Sequence, residues 1–220
     1  MERLITFEGI EGCGKTTQMK LAGDFLRQRR LQFLMTEEPG GTPMGRRIRG
    51  ILLNKDSHED ICAEAEILLF SAARAQHVRK VIFPALKGDK VVLCDRFYDA
   101  TLAYQGFGRG ADICFIREIN DYSSFGLRPG MTILFDLPVE IGLRRAMDRI
   151  SLMKERSGDA ELEDRFEQEN LEFHQRVRDG YLFLAVKEPE RFRIIDSTAG
   201  IEMIHRQVCD LISSFIKTNQ

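Results

Sequence analysis

The 220-residue chain is predicted to be an α/β protein in which helices flank a five-stranded parallel sheet. Short apolar, β-prone runs alternate with stretches of helical periodicity along the chain, which is typical of strand–helix–strand units. The strands are continuous apolar runs rather than alternating ones, which favours a parallel sheet buried on both faces. A glycine-rich turn between the first strand and the first helix predicts a ligand site at the carboxyl edge of that sheet.

The composition indicates one globular domain spanning residues 1–220, with 43% hydrophobic and 30% charged residues. The net charge of −2 gives no general argument for a nucleic-acid or acidic-membrane partner, and we expect neither. Five scattered cysteines without a Cys-x-x-Cys pair favour a reducing, cytoplasmic location over disulfides or a zinc site. We also expect no signal peptide and no membrane span.

The first strand, predicted at Leu4–Phe7, runs directly into the pattern Gly-x-x-x-x-Gly-Lys-Thr. Its glycines let the backbone approach a ligand closely, so that free N–H groups surround an anion at a helix start. We expect Lys15 to reach the β- and γ-phosphates of a nucleotide and the Thr16 hydroxyl to bind Mg²⁺. The pattern predicts a nucleoside triphosphate site but does not identify the reaction. The expected contacts are Gly9, Ile10, Glu11, Gly12, Cys13, Gly14, Lys15, Thr16 and Thr17.

The remaining elements follow in alternation. A second strand is predicted at 32–36, before the turn-rich loop Glu37–Pro43. Three further strands are predicted at Val91–Asp95, Met131–Asp136 and Arg193–Asp196. After the helix that opens at Lys15, helices are predicted at 46–53, 61–86, 99–105, 113–123, 139–152, 165–186 and 201–216, with a polar interruption at 153–164.

Carboxylates fall at the predicted strand ends, where ligands of parallel sheets bind. They are Glu8, Glu37, Glu38, Asp95, Asp136 and Asp196. Asp95 can hold Mg²⁺ directly or through water, in the manner of a Walker B acid. Arg96 can clamp a phosphate through its guanidinium donors. The alternative is that Asp95 caps the next helix and that Arg96 is its surface partner.

Two helical stretches carry side chains suited to a planar base, namely Phe70, Arg74 and His77 in one and Thr101, Tyr104 and Gln105 in the other. An aromatic ring one turn from a guanidinium can stack on a base while the arginine bonds its edge. The Gln105 amide both donates and accepts, which suits a pyrimidine. The alternative is that Phe70 is ordinary core and Arg74 is solvated.

A basic segment lies around the predicted polar interruption, with Arg144, Arg145, Arg149, Lys154 and Arg156. It predicts a lid at 149–164 that closes on a polyphosphate, and the alternative is a solvated charged surface. Glu11, within the glycine loop, is predicted to lie near a metal or to accept a sugar hydroxyl. His58, His174 and His205 show no metal spacing, and we expect them to be surface or capping residues.

In order, these motifs resemble the bacterial thymidylate kinase (dTMP kinase) family over nearly the whole chain. The resemblance implies a P-loop fold of the nucleoside monophosphate kinase type with a short basic lid, and transfer of the γ-phosphoryl group of Mg·ATP to dTMP. It also implies a homodimer packed through helices. The matching segments are 8–17, 38–42, 68–77, Asp95–Phe97, Ala103–Gly106, Arg165–Glu167, Arg178 and Tyr181.

The resemblance also implies roles for individual residues. Lys15 and the loop backbone would hold the ATP phosphates, Thr16 would bind Mg²⁺, and Asp95 would act on Mg²⁺ or its water. Arg49 and Arg96 would grip the dTMP 5′-phosphate. The nucleoside would be bound by Phe70 stacking on thymine, by Arg74, Thr101 and Gln105 at the base edges, by Tyr104 near the sugar 2′ position, and by Glu11 near the 3′-hydroxyl or the metal.

One departure from the family pattern concerns the glycine loop. Some members carry an arginine there, whereas this chain has Glu11-Gly12-Cys13. The missing charge is then expected from the lid, with Arg149 and Arg156 as the candidates. Glu37 also stands where relatives often have arginine, which removes a basic contact.

Two other functions fit the glycine loop. A kinase for another nucleoside or nucleotide would differ at the base-reading residues. A GTPase-like switch would need an Asn-Lys-x-Asp motif to recognise the guanine base. The nearest match, at 54–57, has Ser57 where the motif requires aspartate, which disfavours this function. A non-catalytic binding module is disfavoured because Lys15, Thr16, Asp95 and Arg96 are all present.

Overall fold

The computed structural model describes residues 3–53, 61–157 and 165–218. Within these ranges five strands form one fully parallel sheet in the order β2-β3-β1-β4-β5, which confirms the predicted fold class. The central strand β1 is buried along its whole length. The strands are β1 (Leu4–Glu8), β2 (Phe33–Glu37), β3 (Val91–Asp95), β4 (Met131–Asp136) and β5 (Phe192–Asp196).

Helices cover both faces of the sheet and pack against its buried side chains. In the described ranges they are α1 (Lys15–Gln28), α2 (Pro43–Leu53), α3 (Ala63–His77), α4 (Phe83–Lys87), α5 (Tyr98–Thr101), α6 (Ile113–Ser124), α7 (Val139–Ser157), α8 (Leu171–Lys187) and α9 (Ile201–Thr218). Two π-helical segments, Val78–Ile82 and Leu102–Gly108, continue α3 and α5. None of the described helices is long and apolar enough to cross a membrane.

The helix predicted at 61–86 is interrupted by the π-helical turn at Val78–Ile82. Pro84 lies in the first turn of the helix that follows. Because proline has no N–H, it cannot donate the hydrogen bond that would continue an unbroken α-helical ladder. The shift to wider hydrogen bonding at this point is therefore consistent with the position of Pro84.

Two predicted boundaries around the basic segment were wrong. Helix α7 continues through Ser157, although the polar interruption was predicted to begin at residue 153. The methionine, lysine, glutamate and arginine found there are strong helix formers, so polarity did not end the helix. The following helix begins at Leu171 rather than at 165, because the Asn170 side chain accepts from the Phe173 N–H at 2.8 Å and caps it.

Several predictions concern residues outside the described ranges. They include His58 and the Asn-Lys-Asp-Ser string at 54–57. Residues 158–164 of the predicted lid also lie outside, as do the side chains of Lys154 and Arg156.

Candidate active site

The glycine-rich turn after β1 comes close to the start of α7. Gly9 and Gly12 have φ values of 142° and 69°, which L side chains rarely adopt. A Cβ on Gly12 would lie 2.1 Å from the carbonyl oxygen of Gly142, and one on Gly9 would lie 2.6 Å from that of Phe135. Glycine is therefore required at both positions by backbone conformation and by space.

Lys15 opens helix α1 directly after this turn. Its Nζ donates to the carbonyl oxygen of Ile10 at 3.4 Å, so the ammonium group is folded back over the loop. In the described part of the chain no side chain caps the N-terminus of α1, where Gly14 has φ 90°. The first N–H groups of the helix and the lysine thus point to one region, which is the arrangement that binds anionic phosphates.

Thr16 and Asp95, the two predicted metal ligands, are in direct contact. The Thr16 hydroxyl donates to Asp95 Oδ2 at 2.5 Å. The sheet register explains the contact, because Asp95 pairs with Phe7 on the strand that leads into the loop. The alternative that Asp95 only caps the next helix is wrong, since that helix has Phe97 as its N-cap residue.

The oxygen atoms of Thr16 and Asp95 fit Mg²⁺, which prefers hard oxygen ligands and often takes only one or two from protein. No group of three or more histidine, cysteine, aspartate or glutamate side chains that could hold a metal occurs among the described residues. A site completed by nucleotide phosphates and water agrees with that donor set.

Arg96 follows β3 with φ 64°, and its guanidinium lies at the centre of a polar cluster. Nη1 donates to the carbonyl oxygen of Gly9 at 3.0 Å and to the Tyr181 hydroxyl at 3.1 Å. Nη2 donates to Glu11 Oε1 at 2.9 Å and to the Tyr104 hydroxyl at 2.8 Å. The arginine therefore joins the glycine loop to the helices on the other side of the site, and it is not a solvated surface group.

Glu11 is a buried acid of this cluster. Its Oε1 accepts from the Tyr104 hydroxyl at 2.5 Å, and its Oε2 lies 3.3 Å from Nδ1 of His174. Burial alone raises the pKa of Glu11, but His174, Arg96 and Lys15 together hold it well below its usual range. The surroundings of Glu11 thus favour the charged carboxylate inside the loop that is expected to receive an anion.

The expectation that the three histidines are surface or capping residues was wrong for His174. It is fully buried on α8 and faces Glu11. His205 is partly exposed on α9, with Nε2 3.5 Å from Cys209 Sγ.

Glu8 is a fully buried carboxyl group behind Arg96. Its Oε1 accepts from the Phe97 N–H and its Oε2 from the Tyr181 hydroxyl, both at 2.7 Å. Burial and the nearby Asp99 raise the pKa of Glu8 to about 8, against smaller opposing effects of Arg96 and the two hydrogen bonds. Since Glu8 and Arg96 both bond Tyr181, Glu8 supports the arginine from the side of the core.

The raised pKa of Glu8 predicts a pH-dependent stability. Between the ordinary pKa of 4.5 and the folded value of about 8, only the folded chain retains the proton. This stabilisation is fully present below pH 4.5 and is lost as the pH rises to 8. The free energy of unfolding of the native chain, relative to a Glu8→Gln variant, should fall by on the order of 3 kcal/mol between pH 5 and 8.

Urea unfolding of both proteins at several pH values measures this difference. The exposed Glu64 on α3 supplies the control Glu64→Gln, which should parallel the native chain. A constant difference between native and Glu8→Gln curves would contradict the raised pKa.

The predicted base-reading residues are held together by two hydrogen bonds between α3 and the segment after β3. Arg74 Nη2 donates to Thr101 Oγ1 at 2.8 Å, and Gln105 Nε2 donates to Glu66 Oε1 at 2.7 Å. Arg74 is only 1% exposed, so the alternative that it is solvated was wrong. Phe70 is half-buried, with its ring 6.5 Å from that of Phe166.

The Arg74 guanidinium is also held by two further side chains, Glu38 and Asn120. Its Nε donates to Glu38 Oε2 at 2.9 Å, and its Nη1 donates to Asn120 Oδ1 at 2.6 Å. Glu38 Oε1 also lies 2.9 Å from Nδ1 of His77, which is fully buried. The helix face that carries Arg74 and His77 is thus anchored to the loop after β2.

Two other predicted basic contacts lie outside the Arg96 cluster. Arg49 Nη1 donates to the Pro39 carbonyl oxygen at 3.0 Å and lies 3.5 Å from Glu37 Oε2. Glu37 therefore pairs with a basic side chain, at a position where relatives often carry a basic side chain themselves. Arg149 on α7 is half-exposed, with Nη2 3.1 Å from Glu167 Oε1. The prediction for Arg156 concerns a side chain outside the described part.

Sequence reasoning assigned no role to several residues of this site, and the only signals for them were position or membership of a segment that matches the family. They are Glu8, Glu38, Glu66, Asn120, His174 and Tyr181. The first two ended predicted strands, where site residues are expected. The others lie within helices, and their place in the site depends on tertiary packing.

Comparison with known proteins gives a consistent family. A family model described as thymidylate kinase matches residues 7–208. The thymidylate kinase of Syntrophus aciditrophicus (strain SB) is 57% identical over 209 residues, which cover 95% of this chain and 93% of the relative. That of Geobacter sulfurreducens is 49% identical, with 96% and 97% covered. A crystal structure of thymidylate kinase from Ehrlichia chaffeensis superposes with a TM-score of 0.73 at 32% identity, with 95% and 97% covered.

Proposed function

This chain belongs to the thymidylate kinase family, and we infer from that membership that it phosphorylates dTMP to dTDP with ATP, in dTTP synthesis. The observation that carries the reaction is the position of Arg96. Its guanidinium bonds the phosphate loop at Gly9 and Glu11 and, at the same time, the Tyr104 hydroxyl on the predicted acceptor side. A cation that bridges the two sides suits phosphoryl transfer between two anionic substrates.

The reaction requires positioning and charge neutralisation rather than a covalent intermediate. We propose that Lys15 and the N–H groups of residues 9–17 hold the ATP phosphates. Arg96 would hold the dTMP phosphate in line with them. The half-exposed Arg149, and Arg156 farther along α7, are proposed to add positive charge when the lid segment closes.

Mg²⁺ is proposed to be held by Thr16 and Asp95. When bound, the ion neutralises charge on the transferring phosphoryl group. The contact between these two side chains supports the proposal, because it brings a hydroxyl and a carboxylate together beside the phosphate loop.

The acceptor nucleoside is proposed to lie against Phe70, with Arg74, Thr101 and Gln105 at the base edges. Tyr104 is proposed to lie near the sugar 2′ position and to disfavour a ribose hydroxyl there, and Glu11 would accept from the 3′-hydroxyl. Arg49 is proposed as a second ligand of the dTMP phosphate. Its present contact with the Pro39 carbonyl would have to be exchanged for the phosphate.

The test is ADP release from Mg·ATP with a panel of acceptors: dTMP, dUMP, UMP, CMP, dCMP, AMP and GMP. We expect strong preference for dTMP, with UMP poor because of Tyr104. Preference for a different monophosphate would retain the kinase activity and reject the thymine assignment. ADP release that is independent of any acceptor would instead indicate a nucleotide-dependent switch.

We also propose a homodimer in the cytoplasm. Four exposed apolar or aromatic side chains lie on helices α2, α3 and α6, which pack beside one another: Ile51, Leu68, Phe115 and Tyr122. Exposed residues of this kind on adjacent helices are suited to self-association. A solution mass of one chain in light scattering would reject the dimer.

A further inference from the structure

We propose that Glu66 is a positioning residue that turns Gln105 into a hydrogen-bond acceptor, so that the site takes pyrimidines with an N–H at N3 and rejects cytosine. The proposal rests on the function proposed above, because it assumes that the monophosphate base lies against Phe70. It adds a reason why a glutamine, which by itself can both donate and accept, distinguishes between pyrimidines.

Glu66 is fully buried, and its carboxylate lies among three donor side chains. Its Oε1 accepts from Gln105 Nε2 at 2.7 Å and from Arg109 Nε at 2.8 Å. Its Oε2 lies 2.7 Å from Arg165 Nη2. A carboxylate between two guanidinium groups offers only acceptor oxygens, so any neutral partner must donate to it.

This chemistry determines the orientation of the Gln105 amide. The NH₂ group must face Glu66, because an amide oxygen in that place would oppose a carboxylate oxygen. The Gln105 carbonyl oxygen therefore points away from Glu66, where it can only accept a hydrogen bond. Gln105 is 1% exposed, so water has little access to compete for this oxygen.

The position of Phe70 places this acceptor beside the proposed base. Glu66, Phe70 and Arg74 are spaced by four residues and share one face of α3. The Gln105–Glu66 and Arg74–Thr101 hydrogen bonds lie one turn before and one turn after Phe70. A ring stacked on Phe70 is thus flanked by an acceptor at one end and by guanidinium donors at the other.

This pattern matches thymine and uracil but not cytosine. Thymine presents a donor at N3 between two carbonyl acceptors, so N3–H can meet the Gln105 oxygen while O4 meets Arg74. Cytosine has an acceptor at N3 and an amino group at C4. Both groups would then face partners of the same kind, and buried polar groups left unpaired disfavour binding strongly.

The main experiment compares kcat/KM for dTMP and dCMP in the native chain and in a Glu66→Gln variant. A glutamine at this position can donate or accept, so the Gln105 amide is free to turn over. We expect the dTMP-to-dCMP ratio to fall by about tenfold to a hundredfold, with the KM for ATP unchanged. An exposed acid on the same helix, Glu64, provides the matched control Glu64→Gln, which should keep the native ratio.

A double-mutant comparison separates this role from general loosening of the site. In a Gln105→Leu background, Glu66→Gln should leave the dTMP-to-dCMP ratio unchanged, because the residue through which it acts is gone. A further fall of the ratio in that background would overturn the proposal, as would a native ratio in the Glu66→Gln single variant.

A measurement on the native chain covers the case in which Glu66→Gln does not fold. The side-chain NH₂ protons of Gln105, assigned in ¹⁵N NMR spectra by comparison with Gln105→Leu, should stay protected from exchange with water when dTMP binds, because they remain bonded to the buried Glu66 carboxylate. Rapid exchange of these protons in the dTMP complex would mean that the amide leaves Glu66 and would overturn the proposal. If the native chain fails to phosphorylate dTMP at all, it is the proposed function that fails.

Discussion

Replacing Lys15 with alanine should lower kcat by about 10³-fold while the free energy of unfolding changes little. The large effect is expected because Lys15 is the cation that follows the glycine loop, and charge stabilisation is a major part of phosphoryl transfer. The small effect on stability is expected because the side chain is half-buried and donates only one long hydrogen bond, to Ile10.

Steady-state kinetics with saturating dTMP, together with urea unfolding, measures both quantities. Lys20 is exposed on the same helix and provides the control Lys20→Ala, which should retain native kcat. If Lys15→Ala kept more than about a tenth of native kcat, the loop lysine would not be the group that stabilises the transferring phosphate.

Replacing Arg96 with lysine should lower kcat/KM for dTMP by about 10²- to 10³-fold. The guanidinium bonds four acceptors in different directions, which are the Gly9 carbonyl, Glu11, Tyr104 and Tyr181. A lysine ammonium keeps the charge but cannot make this planar fork of contacts. The loss should therefore appear even though the charge is conserved.

Arg117 of α6 is half-exposed and lies outside the site, with Nη1 3.7 Å from Glu188 Oε1. It supplies the control Arg117→Lys, which likewise keeps the charge and should retain native kcat/KM. The KM for ATP should change much less than the dTMP parameters. Native kcat/KM for dTMP in Arg96→Lys would mean that charge alone, rather than guanidinium geometry, is needed at this position.

The sheet was predictable from the sequence because each strand is a short apolar run and most end in an acidic residue. For β3 and β4 the predicted bounds equal the observed ones. The predicted bounds of β1, β2 and β5 differ from the observed ones by one residue at one or both ends. The larger errors lie in helices, where local effects decide the boundary. Asn170 starts α8 by one side-chain hydrogen bond, and helix-forming residues extend α7 to Ser157.

Site residues that belong to local sequence motifs could be predicted, whereas residues that reach the site only through tertiary packing could not. The contact between Thr16 and Asp95 follows from two motifs at neighbouring strand ends. His174 gave no comparable signal, because nothing in its own helix indicates that it faces Glu11. Glu66 was equally obscure, since the two arginines that neutralise it lie far from it in the sequence.

The close approach of Gly12 and Gly142 couples the start of α7 directly to the phosphate loop. A Cβ on Gly142 would lie 2.6 Å from the Glu11 carbonyl oxygen, so the two backbones interlock and neither position has room for a side chain. From Gly142 to Ser157 the helix is ~22 Å long. A tilt of a few degrees at this contact would therefore displace the distal end of the helix, beyond Arg149, more than the end at the loop, and we expect a side chain at either glycine to disturb both the loop and the helix.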